Sequence, residues 1–196
     1  MPRDRKQVFL IIGLTKESAH WDEVFVEHLS KACGLKNNDL IIVDLPGAGA
    51  FNKELSPISV NGIVKKTRKR YLEVMYPDAE RLVIAISLGG MIAMEWAACY
   101  PEDFHKMVIL NSSFRNLSPL KDRLQPDAMR EFTNIFRSRT LEERERKVME
   151  LCCNNVLNHD RVLQKWIKIA KERPMSKRNM VLQTLAAARY RLTKKP

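Results

Sequence analysis

The chain has 196 residues, of which 45% are hydrophobic, and a net charge of +11. That supply of apolar side chains is enough for one domain with a sizeable core, and it excludes a disordered chain. Apolar runs such as 82–86 and 107–110 are far too short to cross a bilayer, so no membrane span is expected.

Basic residues precede a short apolar run at the N-terminus, "MPRDRKQVFLIIG". Gly13 interrupts the run and no small-x-small site follows it, so a first strand over 7–13 is read here rather than a signal peptide. Residues 19–33 place Trp21, Val24, Phe25, Val26 and Leu29 at helical spacing. A second apolar strand covers 39–45, and "PGAGAFNKELSP" after it is a loop by its Pro and Gly content. A helix over 59–75 precedes a buried strand over 82–86, a helix over 88–99 and a fourth strand over 106–111. From 127 onward only helical signals recur, over 127–137, 141–153, 159–172 and 176–190. Alternation of strand and helix predicts an α/β fold, a three-layer sandwich with a mainly parallel sheet of at least four strands. The expected domains are a core over 1–113 and a helical lid or cap over 114–196.

Charge divides at the same place. Residues 1–113 hold 14 basic and 14 acidic side chains, and the rest hold 20 and 9, so the whole excess lies in the helical part. Such an excess can attract an acidic partner, but solvated helix faces are the favoured reading. The run "KKTRKR" at 65–70 has no aromatic stacking platform, so a solvated face is preferred to nucleic-acid binding. Cys33, Cys99, Cys152 and Cys153 make no C-x-x-C pair and are expected to be reduced, which points to a cytoplasmic, soluble protein. No residue spacing indicates a metal or an organic cofactor.

"RLVIAISLGGMI" puts Ser87 between a buried strand and two glycines. A sharp strand-to-helix turn needs small residues two places either side, and Ala85 and Gly89 supply them, with Gly90 next. The alternative role for Ser87 is a simple helix cap. The turn also sets the N–H of Leu88 at a helix start, where it can stabilise an oxyanion.

The A-x-S-x-G stretch resembles the G-x-S-x-G nucleophile elbow of the α/β-hydrolase family, with Ala85 in place of the first glycine. Further matches fall in order: "LIIGLTKESAHW", "DLPGAG" over Asp44–Gly49, and "GGMIAMEWAACYPEDFHKMVILNSS". The resemblance implies Gly13 as a loop glycine, Leu14 as the second oxyanion donor, and the late helices as a lid. It implies a serine hydrolase of the carboxylesterase kind, acting on a small-molecule ester or acyl substrate without cofactor.

The family's triad continues with an acid and then a histidine on later loops, and no residue here occupies those positions. His20 borders the presumed oxyanion loop, His28 falls in the first helix, His105 precedes the fourth strand and His159 lies among the late helices. Asp122 and Asp127 follow the fourth strand. Three readings stay open: a truncated or interrupted hydrolase, one that recruits His159 or a histidine of another subunit, and a non-catalytic hydrolase-derived protein that binds an acidic partner through its basic helices. An uncovered edge on the fourth strand is also expected, with a homo-oligomer as one way to cover it.

Overall fold

The computed structural model describes residues 5–36, 38–123, 126–153 and 159–192. Four parallel strands, β1 (Arg5–Ile11), β2 (Leu40–Val43), β3 (Ala79–Ile86) and β4 (Lys106–Leu110), form one sheet in the order β2-β1-β3-β4. The helices between them are α1 (Glu23–Cys33), α2 (Val60–Tyr71) and α3 (Leu88–Cys99). After β4 come α4 (Leu120–Arg123), α5 (Pro126–Arg137), α6 (Leu141–Cys152), α7 (His159–Glu172) and α8 (Lys177–Arg189).

Strand alternation explains the layering. Phe9, Ile11, Val83 and Ala85 face a core filled by Ile63 and Val64 of α2, Leu88, Ile92 and Trp96 of α3, and Ala186 of α8. Val8, Leu10 and Ile84 face the opposite side, where Trp21 and, from α1, Val26, Leu29 and Cys33 cover them. Both faces of β1 are therefore buried, as its unbroken apolar run requires. β2 and β4 are the outer strands, and Val108 and Leu110 of β4 remain over 40% exposed.

Two expectations are corrected. Asp22 caps α1 by accepting from the N–H groups of Val24 and Phe25, and in this helix Val24 is 59% and Phe25 40% exposed. Only Trp21, Val26 and Leu29 of the predicted stripe meet the core. The helix over 59–75 ends at Tyr71 and tightens into a 3-10 turn over Leu72–Val74. Ser118–Pro174 form a compact unit of their own, and the described residues 175–192 group with the sheet. α8 joins the first unit because Ala186 and Tyr190 fill its core and because Asn179 and Gln183, 2% and 1% exposed, bond its loop backbone. Residues 193–196 of the predicted region lie outside the described residues. Within the second unit, Met149 of α6 packs on Leu163 and Ile167 of α7.

Candidate active site

Chain direction reverses its progress across the sheet between β1 and β3, since β2 lies outside one and β4 outside the other. Loops leaving the C-terminal ends of two such strands diverge, which opens a crevice there. Ser87 follows β3 and Gly13 follows β1, so the predicted serine and the predicted loop glycine share this end.

Ser87 has φ +55° and ψ −118°, a left-handed conformation that costs a residue with a Cβ on the order of 1–3 kcal/mol. Its surroundings hold it there. Its N–H donates to Leu110 O at 2.9 Å, and its carbonyl accepts from Gly90 N at 3.0 Å, Met91 N at 3.3 Å and Ser112 Oγ at 2.7 Å. The turn thus closes straight into α3. Leu88, 1% exposed, starts that helix, so its N–H has no acceptor within it.

All three predicted glycines make close approaches. A Cβ at Gly13 would stand 3.1 Å from Ser87 Cβ and 3.6 Å from Ser87 Oγ, so this loop runs directly against the serine. A Cβ at Gly89 would stand 2.3 Å from Ile11 O. At Gly90 it would meet Ser112 and Ile109. Leu14 follows Gly13, is half-buried and packs against the core. A turn closes there through Lys16 N donating to Gly13 O at 3.3 Å, with Thr15 at φ +62°.

Among the described residues, no histidine or carboxylate is hydrogen-bonded to Ser87 Oγ. His20 Nδ1 accepts from Glu17 N at 3.1 Å, which leaves the proton of the neutral ring on Nε2. His28 is exposed on α1. His105 Nδ1 accepts from Arg81 N at 3.0 Å, at the opposite end of the sheet from Ser87, as predicted. His159, Asp122 and Asp127 belong to the second unit. No cluster of His, Cys, Asp and Glu able to hold a metal occurs among the described residues.

The basic run 65–70 is mostly occupied with structural partners. Lys66 and Arg70 both pair with Glu54, and Arg68 pairs with Asp103 at 2.6 Å. These pairs hold the Glu54 carboxyl below the usual range, with Lys66 as the largest cause.

A second polar cluster lies farther along α3, roughly 10 Å from its start. Glu95 accepts there from Tyr190 Oη at 3.1 Å and Asn61 Nδ2 at 2.8 Å, beneath an open cleft of about 380 Å³. Burial, then the Glu95 charge, push the Tyr190 phenol above its ordinary range. A raised phenol pKa adds stability below the unfolded-state value near pH 10 and loses it above. Tyr190→Phe is therefore expected to cost about 1.5–3 kcal/mol at pH 7, the worth of a hydrogen bond to a charged group, and to flatten the decline above pH 10. Urea unfolding at pH 7 and pH 11 checks both.

The sequence matches the alpha/beta hydrolase fold family over residues 6–160. No curated protein matches it. A lipase-esterase related protein from Clostridium acetobutylicum ATCC 824 has a similar structure, with a TM-score of 0.65 and 18% identity over 97% of this chain and 70% of that one. A structure reported with the carboxylesterases of Nitrososphaera gargenis has a TM-score of 0.68 and 16% identity, covering 95% of this chain and 65% of the other. An esterase from Rhodococcus sp. ECU1013 has a TM-score of 0.65 and 17% identity, covering 96% and 66%. The chain thus spans about two thirds of the length of these structures, and at such identities the likeness is one of fold.

Proposed function

The chain belongs to the α/β-hydrolase fold family, and from that premise we propose that it is a serine hydrolase acting on small carboxylic esters. One observation carries the reading: Ser87 sits in a left-handed turn between β3 and α3, against the Gly13 loop. A serine that only capped a helix would not need that backbone conformation. The N–H groups of Leu88 and Leu14 are the proposed oxyanion donors.

In the proposed reaction Ser87 Oγ forms a bond to the ester carbonyl carbon, and the carbonyl pair moves onto oxygen between the two N–H groups. Collapse of that adduct breaks the bond to the alkoxide, which leaves as the alcohol with the hydroxyl proton. Water then releases the acid from Ser87. No cofactor takes part in this scheme, and the reduced cysteine pattern supports a cytoplasmic setting.

A fluorophosphonate probe tests the reading. Labelling of the wild type is expected at Ser87, and Ser87→Ala is expected to lower it at least about 100-fold, the scale of losing the reacting group. An unlabelled wild type, or equal labelling of the variant, overturns it.

The second reading is a non-catalytic hydrolase-derived protein that binds an acidic partner. It is favoured by the absence, among the described residues, of a base hydrogen-bonded to Ser87 Oγ, since a serine without a base is a weak nucleophile, and by residues 175–196, which carry six cations and no acid. Probe inertness combined with salt-sensitive binding to an acidic protein distinguishes it.

A further inference from the structure

We propose that Asp44 is a positioning residue that fixes the loop beside Ser87, and with it the Leu14 N–H; the catalytic part of this inference rests on the serine-hydrolase reading. Asp44 directly follows β2 and is 6% exposed. Its Oδ1 accepts from Ser18 N at 2.7 Å, and its Oδ2 accepts from Ala50 N at 2.9 Å and Ser18 Oγ at 3.2 Å. Among the described residues no cation pairs with it, so main-chain dipoles and one hydroxyl hold the carboxylate.

The seat for that carboxylate is built into the β2 loop. Gly49 has φ +53°, and a Cβ there would stand 2.2 Å from Asp44 Cγ. Only glycine leaves the space. Tyr71 Oη accepts from Asp44 N at 2.9 Å, and Asn179 Nδ2 donates to Glu54 O at 2.8 Å, fixing the far end of the same loop. Asp44 is therefore a rigid post.

What the post holds is the β1 loop. From Gly13, which abuts Ser87, to Ser18, which bonds Asp44, there are five steps of chain, and they include the left-handed Thr15. β1 fixes one end of this segment and Asp44 the other. An N–H aimed at a developing charge must be held before the charge appears, because reorganisation during reaction removes the benefit. Releasing Ser18 removes the far anchor of the segment on which Leu14 depends. A purely structural clasp would affect stability alone, so the two roles separate by measurement.

The test uses the full chain and three variants. Asp44→Ala removes the acceptor. Ser18→Pro removes both Ser18 donors to Asp44, the N–H and the hydroxyl, and leaves the carboxylate in place; it falls at the first position of a 3-10 turn and after an extended Glu17, where proline fits. Asp103→Asn disturbs a buried carboxylate at the other end of the sheet and serves as the destabilised control. Fluorophosphonate labelling rates, taken well below each melting temperature, are expected to fall at least tenfold for the first two and to stay within twofold for the third. Rates within twofold for Asp44→Ala and Ser18→Pro, with the wild type labelled, overturn the positioning role while leaving Ser87 reactive. Should Asp44→Ala not fold, Ser18→Pro decides alone. Should the wild type itself not label, the hydrolase reading falls, and amide exchange judges the anchor: the Ser18 amide must be slow in the wild type, and amides 14–17 must speed up at least tenfold in Ser18→Pro. A fast Ser18 amide, or unchanged exchange at 14–17, overturns it.

Discussion

Gly89→Ala is expected to lower the melting temperature by roughly 6–12 °C or more, the largest effect among the three glycines around Ser87. The methyl would stand 2.3 Å from Ile11 O and 2.8 Å from both Ile11 C and Ile12 O. These are backbone atoms at the end of β1, in the middle of the sheet, and they cannot rotate aside. Relief requires the start of α3 to back away from β1, which takes Ser87 off the Gly13 loop. Overpacking a tight site costs about 3 kcal/mol at the upper end of its usual range, and 1 kcal/mol moves the midpoint about 2–4 °C in a chain of this size. At Gly90 the obstacle is Ser112, whose side chain can turn if it gives up its bond to Ser87 O. Gly13 has its nearest atom at 3.1 Å. Thermal unfolding should therefore rank the alanine variants 89, then 90, then 13 in damage, and a Gly89→Ala midpoint within 2 °C of wild type would contradict the close approach.

These steric demands are local, which is why the turn could be read from "AISLGG" alone. The strands were legible for a similar reason: β1 and β3 are buried on both faces, and their apolar runs say so. What failed depended on distant partners. Periodicity gives α1 a stripe, but packing against Val8, Leu10 and Ile84 decides which of its residues meet the sheet. A charge run reads as a solvated face, and yet Arg68 and Arg70 pair with Asp103 and Glu54, 35 and 16 residues away. Asn179 and Gln183 look like ordinary polar positions on α8, but their partners lie more than 120 residues earlier. Asp44 was visible only as part of "DLPGAG", because the donors that define its role come from two separate loops.

Asp103→Ala should be the most damaging polar substitution, with an expected loss of about 3–5 kcal/mol, the usual result of breaking a buried ion pair from one side. Asp103 is 3% exposed. Its Oδ2 accepts from Arg68 Nε and from Trp96 Nε1, each at 2.6 Å, and its Oδ1 accepts from Arg68 Nη2 at 3.1 Å. Three donors on two helices therefore converge on one carboxylate, and α2 and α3 are joined through it beneath the sheet-facing core. Removal leaves Arg68 with only the exposed Glu102 carboxylate at 3.6 Å and the Tyr100 ring, and it strands a buried indole N–H, so the cost exceeds that of any one lost bond. Asp103→Asn keeps one acceptor and should lose less. A double-mutant cycle with Trp96→Phe isolates the indole bond and should give a coupling of about 1 kcal/mol. The network lies at the N-terminal end of β3, where Arg81 also donates to Asp103 O at 2.6 Å, whereas Ser87 lies beyond the other end. Stability and Ser87 reactivity should therefore come apart: urea unfolding must report the loss while the labelling rate of the folded fraction holds. A loss below 1 kcal/mol would mean that water replaces the carboxylate at this site, and that packing, rather than the shared anion, holds α2 and α3 together.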